Sequence, residues 1–281
     1  MTSTAEFHQN QVAYWNGPGG TRWTDQSART EKMLSQVATL LYERAKIKPG
    51  EVVLDVGCGL GPTTVELAKQ VGPSGHVVGL DVSAGMIELA RQRAAGIANI
   101  EFIAGDAATH QFAAPFADVL FSRFGVMFFG DPAAAFANLR KAIKPGGRVV
   151  FACWRRMSEN QWMLKPLLAA YEHVPKPPPA EPNEPGPFAF ADQERVGRIL
   201  TGAGFANPRV TPVDLVFDIA GGAGLEAAVQ QSMTIGATSR VLQDQPDEVR
   251  AKVASSIRAA LTPYLKGQDV ELPGAIWIVE A

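Results

Sequence analysis

Cysteine and histidine are scarce in this chain: two cysteines, Cys58 and Cys153, and four histidines, His8, His76, His110 and His173, among 281 residues. The cysteines lie far apart and form neither a ligand pair nor a disulfide framework, and no two histidines have ligand spacing. No metal is expected, and a reducing compartment fits. An excess of positive charge is lacking too. The 26 basic and 28 acidic residues give a formal net charge of −2. The doublets Arg140-Lys141 and Arg155-Arg156 fall short of the concentrated basic face that phosphate-backbone binding requires, so no nucleic-acid partner is expected. No apolar run approaches the ~18 residues of a membrane span, and the opening MTSTAEFHQNQ has no basic-then-apolar leader pattern. These absences predict a cytoplasmic protein with no stable membrane insertion.

What is present is globular. Hydrophobic residues make up 46% and charged residues 19%, enough for one sizeable core. Between residues 51 and 153, short β-branched runs alternate with longer amphipathic stretches, the pattern of an α/β fold on a parallel sheet. Strands are predicted at 51–56, 76–80, 100–103, 118–121 and 148–153. Ser83 caps one intervening helix; Asp131-Pro132 opens another, which Lys144-Pro145-Gly146-Gly147 is expected to stop. A helix is predicted at 31–47. Further along come a helix at 191–202, a strand at 209–219, helical stretches at 225–235 and 246–264, and a last strand at 275–280. Seven prolines between Pro175 and Pro187 favour an extended spacer. The chain thus divides into an aromatic lid segment (1–29), a core (30–155), a proline-rich insertion (156–190), and the rest of the sheet (191–281) with a helical cap at about 222–270.

The most informative stretch is Val52-Val53-Leu54-Asp55-Val56-Gly57-Cys58-Gly59-Leu60-Gly61-Pro62-Thr63, a strand entering a glycine-rich turn that opens a helix. Such a turn lets backbone pass close beneath a ligand and offers unpaired helix N–H groups. A dinucleotide fingerprint would place glycine where Pro62 stands, which weakens a nicotinamide reading. Asp55 suits a ligand carrying an ammonium group, directly or through water. Asp81 ends the second strand, where a carboxylate can accept hydrogen bonds from ribose hydroxyls.

Through VLDVGCGLG, VVGLDVS, FIAGDAA, FADVLFSRFGVMFF and LKPGGRVVF, residues 30–155 resemble the class I S-adenosylmethionine-dependent methyltransferases, the branch similar to ubiquinone/menaquinone C-methyltransferases. The resemblance implies a Rossmann-like sheet of seven mostly parallel strands with an antiparallel last strand, helices on both faces and helical cap insertions. It implies S-adenosyl-L-methionine as methyl donor and S-adenosyl-L-homocysteine as product. Asp55, Gly57, Gly59, Leu60 and Gly61 would surround the methionine moiety, Asp81 would hold the ribose, and Val82 and Met86 would flank the adenine. Asp106 and Ala107 would meet the adenine edge, and Ser122 would stand beside the methionine end. The chain lacks the Asn/Asp-Pro-Pro-Tyr-type block of many amino-group methylators and the acidic pair of metal-assisted catechol methylators, so the acceptor is not inherited.

Around this core, Tyr14, Trp15 and Trp23 either close over the cofactor or staple the segment to the sheet. Arg123, Phe124 and Met127 follow the fourth strand, where a substrate approaches; Arg123 there can pair with a carboxylate of cofactor or substrate. His110 is the candidate proton acceptor, against the reading of an exposed helix-end histidine. Cys58 reads as a small residue filling the turn. The cap residues Leu225, Val229, Met233, Ile235, Val253 and Ile257 would line an apolar pocket or form a homo-oligomer surface. The expected activity is methyl transfer to oxygen, carbon or nitrogen of a small, partly apolar metabolite. The competing readings are a cofactor-binding regulatory protein and a nucleotide-dependent oxidoreductase.

Overall fold

Nearly continuous apolar runs become the central strands, because strands covered by helices cannot alternate polar residues outward. The computed structural model describes residues 4–178 and 183–281; the first three residues of the lid segment, and Pro179 and Pro182 of the spacer, lie outside them. Three helices come first, α1 (Thr4–Trp15), α2 (Pro18–Asp25) and α3 (Ser27–Ala45), so the aromatic segment is helical rather than irregular. α3 buries Met33, Leu34, Val37, Ala38, Leu41 and Ala45 along one stripe, and that stripe packs on the sheet.

The alternating unit follows as β1 (Val52–Val56), α4 (Pro62–Val71), β2 (His76–Asp81), α5 (Ala84–Arg93), β3 (Ile100–Ala104), β4 (Ala117–Arg123), α6 (Pro132–Arg140) and β5 (Ile143–Trp154). The expected caps form: the Ser83 hydroxyl accepts from Met86 N at 3.4 Å, and the Asp131 carboxylate accepts from Ala134 N at 3.0 Å. One boundary differs. Lys144-Pro145-Gly146-Gly147 was expected as the loop ending α6, yet it lies inside β5. Ala117 pairs with Ile143 and Val119 with Arg148, so these residues bulge from a ladder that resumes on both sides. Ile143 is the first residue of that strand.

The remaining elements are α7 (Gln161–Ala170), α8 (Gln193–Gly202), β6 (Arg209–Asp218), α9 (Gly224–Thr234), α10 (Gly236–Val241), α11 (Asp247–Leu261), β7 (Leu265–Lys266) and β8 (Asp269–Glu280). Sequence reading missed α7 and α10. α7 carries Pro166 inside the helix and sits in the segment expected as a proline-rich insertion; α10 is too short for periodicity to register. The main sheet runs β3-β2-β1-β4-β5-β8-β6, with β8 alone antiparallel to its neighbours and the two-residue β7 pairing β8 as an eighth strand. Strand order therefore reverses between β1 and β4, and a crevice opens at their carboxyl ends. Among the described residues no helix is long and apolar enough to cross a membrane.

Asn160 ties the end of β5 to β8. Fully buried, it donates from Nδ2 to the Arg156 and Ala275 carbonyls at 3.1 Å each and accepts at Oδ1 from Ala275 N at 3.0 Å. Replacing it by alanine removes the Oδ1 acceptor from buried Ala275 N, while the Ala275 carbonyl keeps the Arg155 N–H at 3.1 Å, a loss of about 1–3 kcal/mol. Asn160→Ala should therefore lower the thermal midpoint by roughly 2–9 °C, read by differential scanning fluorimetry.

Candidate functional site

The glycine turn and the loop after β4 touch backbone to backbone. A Cβ on Gly57, whose φ is +70°, would stand 2.6 Å from Gly125 Cα, and one on Gly125 would stand 2.6 Å from the Val56 carbonyl oxygen. Only glycine fits at either place. Ser122 clamps the contact: its hydroxyl donates to Val56 O at 2.7 Å and accepts from Gly125 N at 3.2 Å. These residues floor a cavity of ≈ 210 Å³ at the carboxyl edge of the sheet.

Most of the residues singled out from sequence meet there. Gly57, Gly59, Asp81, Val82, Met86, Asp106 and Ala107 line the cavity, as do Tyr14, Trp15, Trp23, Arg123, Phe124 and Met127. Asp81 is held by two backbone donors, Gly59 N to Oδ2 and Ser83 N to Oδ1, both 2.8 Å. A carboxylate oxygen has a second acceptor site, so Asp81 keeps capacity to take hydroxyl hydrogens. Asp106 is more occupied. Its Oδ1 accepts from Ala108 N and its Oδ2 from the Thr109 hydroxyl, while His8 Nε2 stands 3.1 Å from that same Oδ2.

Asp55, Leu60, Gly61 and Ser122 lie behind the cavity surface instead of on it. Asp55 was expected to face an ammonium group; it is fully buried, and its Oδ2 accepts from the Thr63 and Thr64 hydroxyls at 2.7 Å each. It braces the start of α4 under the turn. Leu60 is buried, Gly61 caps α4 in a left-handed conformation, and Ser122 spends both hydrogen-bonding functions on the floor. His110 is also not among the cavity-lining residues: its ring packs edge-on to Phe112, 4.9 Å between centroids. Cys58 packs with Ile87, Ala90 and Phe102, and burial holds its thiol well above the ordinary range.

Arg123 does not await a ligand carboxylate. Its guanidinium contacts both oxygens of Glu31 on α3, at 2.6 and 2.8 Å. Phe124 adopts φ +67°, rare for a side-chain-bearing residue, and this conformation stacks its ring on Trp154 with centroids 4.1 Å apart and planes 5° apart. Trp154 in turn meets Trp162 at 5.2 Å. Trp154, Trp162 and Met163 were missed from sequence. Trp154 carried a usable signal, since it ends β5 at the same sheet edge as Asp81; Trp162 and Met163 lie on the unforeseen α7. Of the cap residues expected to line a pocket, only Ile235 reaches this cavity; Val229, Val253 and Ile257 are buried where α11 packs against α7 and α9.

The α1–α2 turn closes the cavity beside Val82. Asn16 donates from Nδ2 to Val82 O at 3.0 Å and accepts at Oδ1 from Ala84 N at 3.1 Å, and Trp15 meets Trp23 and Phe128 edge-on. An acid open to a diol, a glycine floor and the apolar Val82 and Met86 on one wall fit an amino-acid-bearing nucleoside such as S-adenosylmethionine.

Burial raises the Asp55 carboxyl to about 6, the two threonine hydroxyls only partly offsetting it. The folded protein then binds more protons than the unfolded chain between pH ~4 and ~6, so this group's contribution to stability falls as pH rises through that window and is flat above it. Asp81 is shifted the same way, also by burial. Asp55→Asn retains an acceptor for the threonines and removes the titration. Its melting temperature relative to the parent should rise between pH 4.5 and 7, by the equivalent of about 2–3 kcal/mol. A parallel pair of thermal-melt profiles would show Asp55 to be ionised without cost.

A family model described as a methyltransferase domain matches residues 47–204, more than half of the chain. A protein of Streptomyces fradiae named "Uncharacterized 37.1 kDa protein in transposon TN4556" is 31% identical over 225 residues, covering 78% of this chain and 63% of that protein, so the chain spans less than two thirds of this relative. Demethylmenaquinone methyltransferase of Staphylococcus aureus is 30% identical over 174 residues, 58% of this chain and 71% of the enzyme. Among solved structures, the YcgJ protein of Bacillus subtilis superposes with a TM-score of 0.57 over 88% of this chain and 97% of its own, a likeness of fold at 15% identity. With the strand order, the glycine floor and the strand-end acid already in place, these matches mean that the chain belongs to the class I S-adenosylmethionine-dependent methyltransferase family.

Proposed function

We propose that this protein moves a methyl group from S-adenosylmethionine to a nucleophilic atom of a small, partly apolar molecule. The observation that carries this reading is Asp81: a carboxylate oriented by two backbone donors, lining the cavity beside the glycine floor. The cofactor supplies an activated methyl group on a sulfonium leaving centre, so the chain's own task is alignment and removal of water. Asp81 binds and orients through the ribose hydroxyls. Val82 and Met86 supply apolar contact, and Asn16 seats the N-terminal helices over that end. Phe124, Trp154 and Trp162 wall the remaining volume with aromatic rings, which exclude water and favour a cationic sulfonium.

His110 does not line the cavity, and the carboxylates that do, Asp81 and Asp106, accept from backbone N–H groups. An acceptor that ionises readily, a phenol, enolate or stabilised carbanion, needs no strong base from the protein. The Staphylococcus relative acts, by its name, on demethylmenaquinone; an apolar ring acceptor is compatible with the aromatic walls here.

Incubation with methyl-labelled S-adenosylmethionine and a metabolite extract should transfer label into small organic molecules and release S-adenosylhomocysteine. Binding of the cofactor without any transfer would leave a regulatory protein instead. Asp81→Ala should weaken S-adenosylhomocysteine binding by about 10- to 100-fold, the loss of a charge-assisted hydrogen bond. Unchanged affinity by calorimetry would remove Asp81 from the ribose.

A further inference from the structure

Three arginines line the cavity: Arg22 from α2, Arg123 from the end of β4 and Arg240 from α10. Glu31 neutralises Arg123. Arg22 and Arg240 have neither a carboxylate partner nor a side-chain hydrogen bond among the described residues, and Arg22 Nε is shielded from solvent with no acceptor. The carboxylates that line the same cavity pair with other groups and with neither arginine, Asp81 with Gly59 and Ser83, Asp106 with Ala108, Thr109 and His8.

Both free guanidinium groups gather on one ring. The Cζ of Arg22 lies 5.9 Å, and that of Arg240 5.3 Å, from the centroid of Tyr14. The ring rests on α2 because Gly19 has no side chain; a Cβ there would stand 2.3 Å from it. Gly19 and Arg22 are three residues apart on that helix, so ring and guanidinium share a face. Two like charges on one ring repel each other, and an anion received between them would remove that repulsion and fill the empty donors. Asn16 seats the segment carrying Tyr14 on Val82 and Ala84, at the nucleoside end and not beside Gly57, while Arg240 belongs to the cap.

Elsewhere the cavity is lined by the aromatic rings of Phe124, Trp154 and Trp162, and Trp162 Nε1 is a further buried donor without a partner among the described residues. Resting on the methyltransferase reading above, we propose that the methyl acceptor is an anionic molecule with a flat apolar body. Arg22 and Arg240 hold its carboxylate or phosphate group, and Phe124, Trp154 and Trp162 receive its body.

The test uses the full chain saturated with S-adenosylhomocysteine and three probes of one shape: 2-naphthoate, 2-naphthyl phosphate and the neutral 2-naphthamide, titrated by calorimetry. At least one anion should bind about tenfold or more tightly than the amide, the tighter anion distinguishing carboxylate from phosphate. In Arg22→Gln and in Arg240→Gln that preference should fall below about threefold, with affinity for S-adenosylhomocysteine changed by less than about threefold. Arg240 is exposed, so its replacement does not threaten the fold. Equal binding of anions and amide, no saturable anion binding, or an undiminished preference in both variants overturns the proposal. So does a loss of S-adenosylhomocysteine affinity in the variants that decarboxylated S-adenosylmethionine does not share, because the arginines would then hold the cofactor's own carboxylate. Failure of the parent chain to bind S-adenosylhomocysteine would sink the methyltransferase reading itself.

Discussion

Where the β1 turn meets the loop after β4, two backbones pass with no side chain between them, and the cavity exists because of that contact. Gly57 and Gly125 each stand where a Cβ would overlap the other's main chain, and Ser122 closes the junction with a hydrogen bond on either side. The contact is possible only because β1 and β4 are neighbours, and they are neighbours because the strand order reverses there. Strand ends on both sides of that reversal then direct their residues to one crevice.

The acids at that edge divide the work by depth. Asp55, fully enclosed, serves the protein: it gathers two threonine hydroxyls and so shapes the first turn of α4. Its cost is a carboxyl whose proton affinity is raised by burial. Asp81, one strand over, is held by backbone N–H groups that fix its orientation while leaving lone pairs for a ligand. Asp55 pairs with Gly79, two residues short of Asp81, so the two aspartates carry different duties because one has protein above it and the other has a cavity.

Beyond the core, the rest of the cavity wall is assembled from segments distant in sequence. α1 and α2 are held over Val82 and Ala84 through Asn16, α7 contributes Trp162, and α10 contributes Arg240. The electrostatics of this wall come from pairing more than from composition: a chain with a formal net charge of −2 still presents two unpaired guanidinium groups, because the nearby carboxylates are already committed. The cap's apolar residues meanwhile serve its own packing. A short helical insertion must bury its stripe against something, and α11 does so against α7 and α9.

The alternation of β-branched runs and amphipathic stretches located the parallel strands, since a doubly covered strand has no choice but to be apolar throughout. The spacing Asp55-Gly57-Gly59-Gly61 and the strand-end Asp81 marked the site, because a backbone that must pass under a ligand tolerates few residue types. Caps at Ser83 and Asp131 were equally legible, being local hydrogen bonds between near neighbours. Tertiary structure alone decided the rest. Whether Asp55 faces a ligand or two threonines, whether Arg123 is free or paired with Glu31, whether His110 reaches the cavity, and which arginines remain unpartnered among the described residues all depend on how turns, helices and strands pack, from the next helix for Asp55 to a partner 92 residues away for Arg123. Local sequence specifies backbone conformation through short-range sterics and periodicity; the charge state and availability of a side chain are set by whatever long-range packing brings against it.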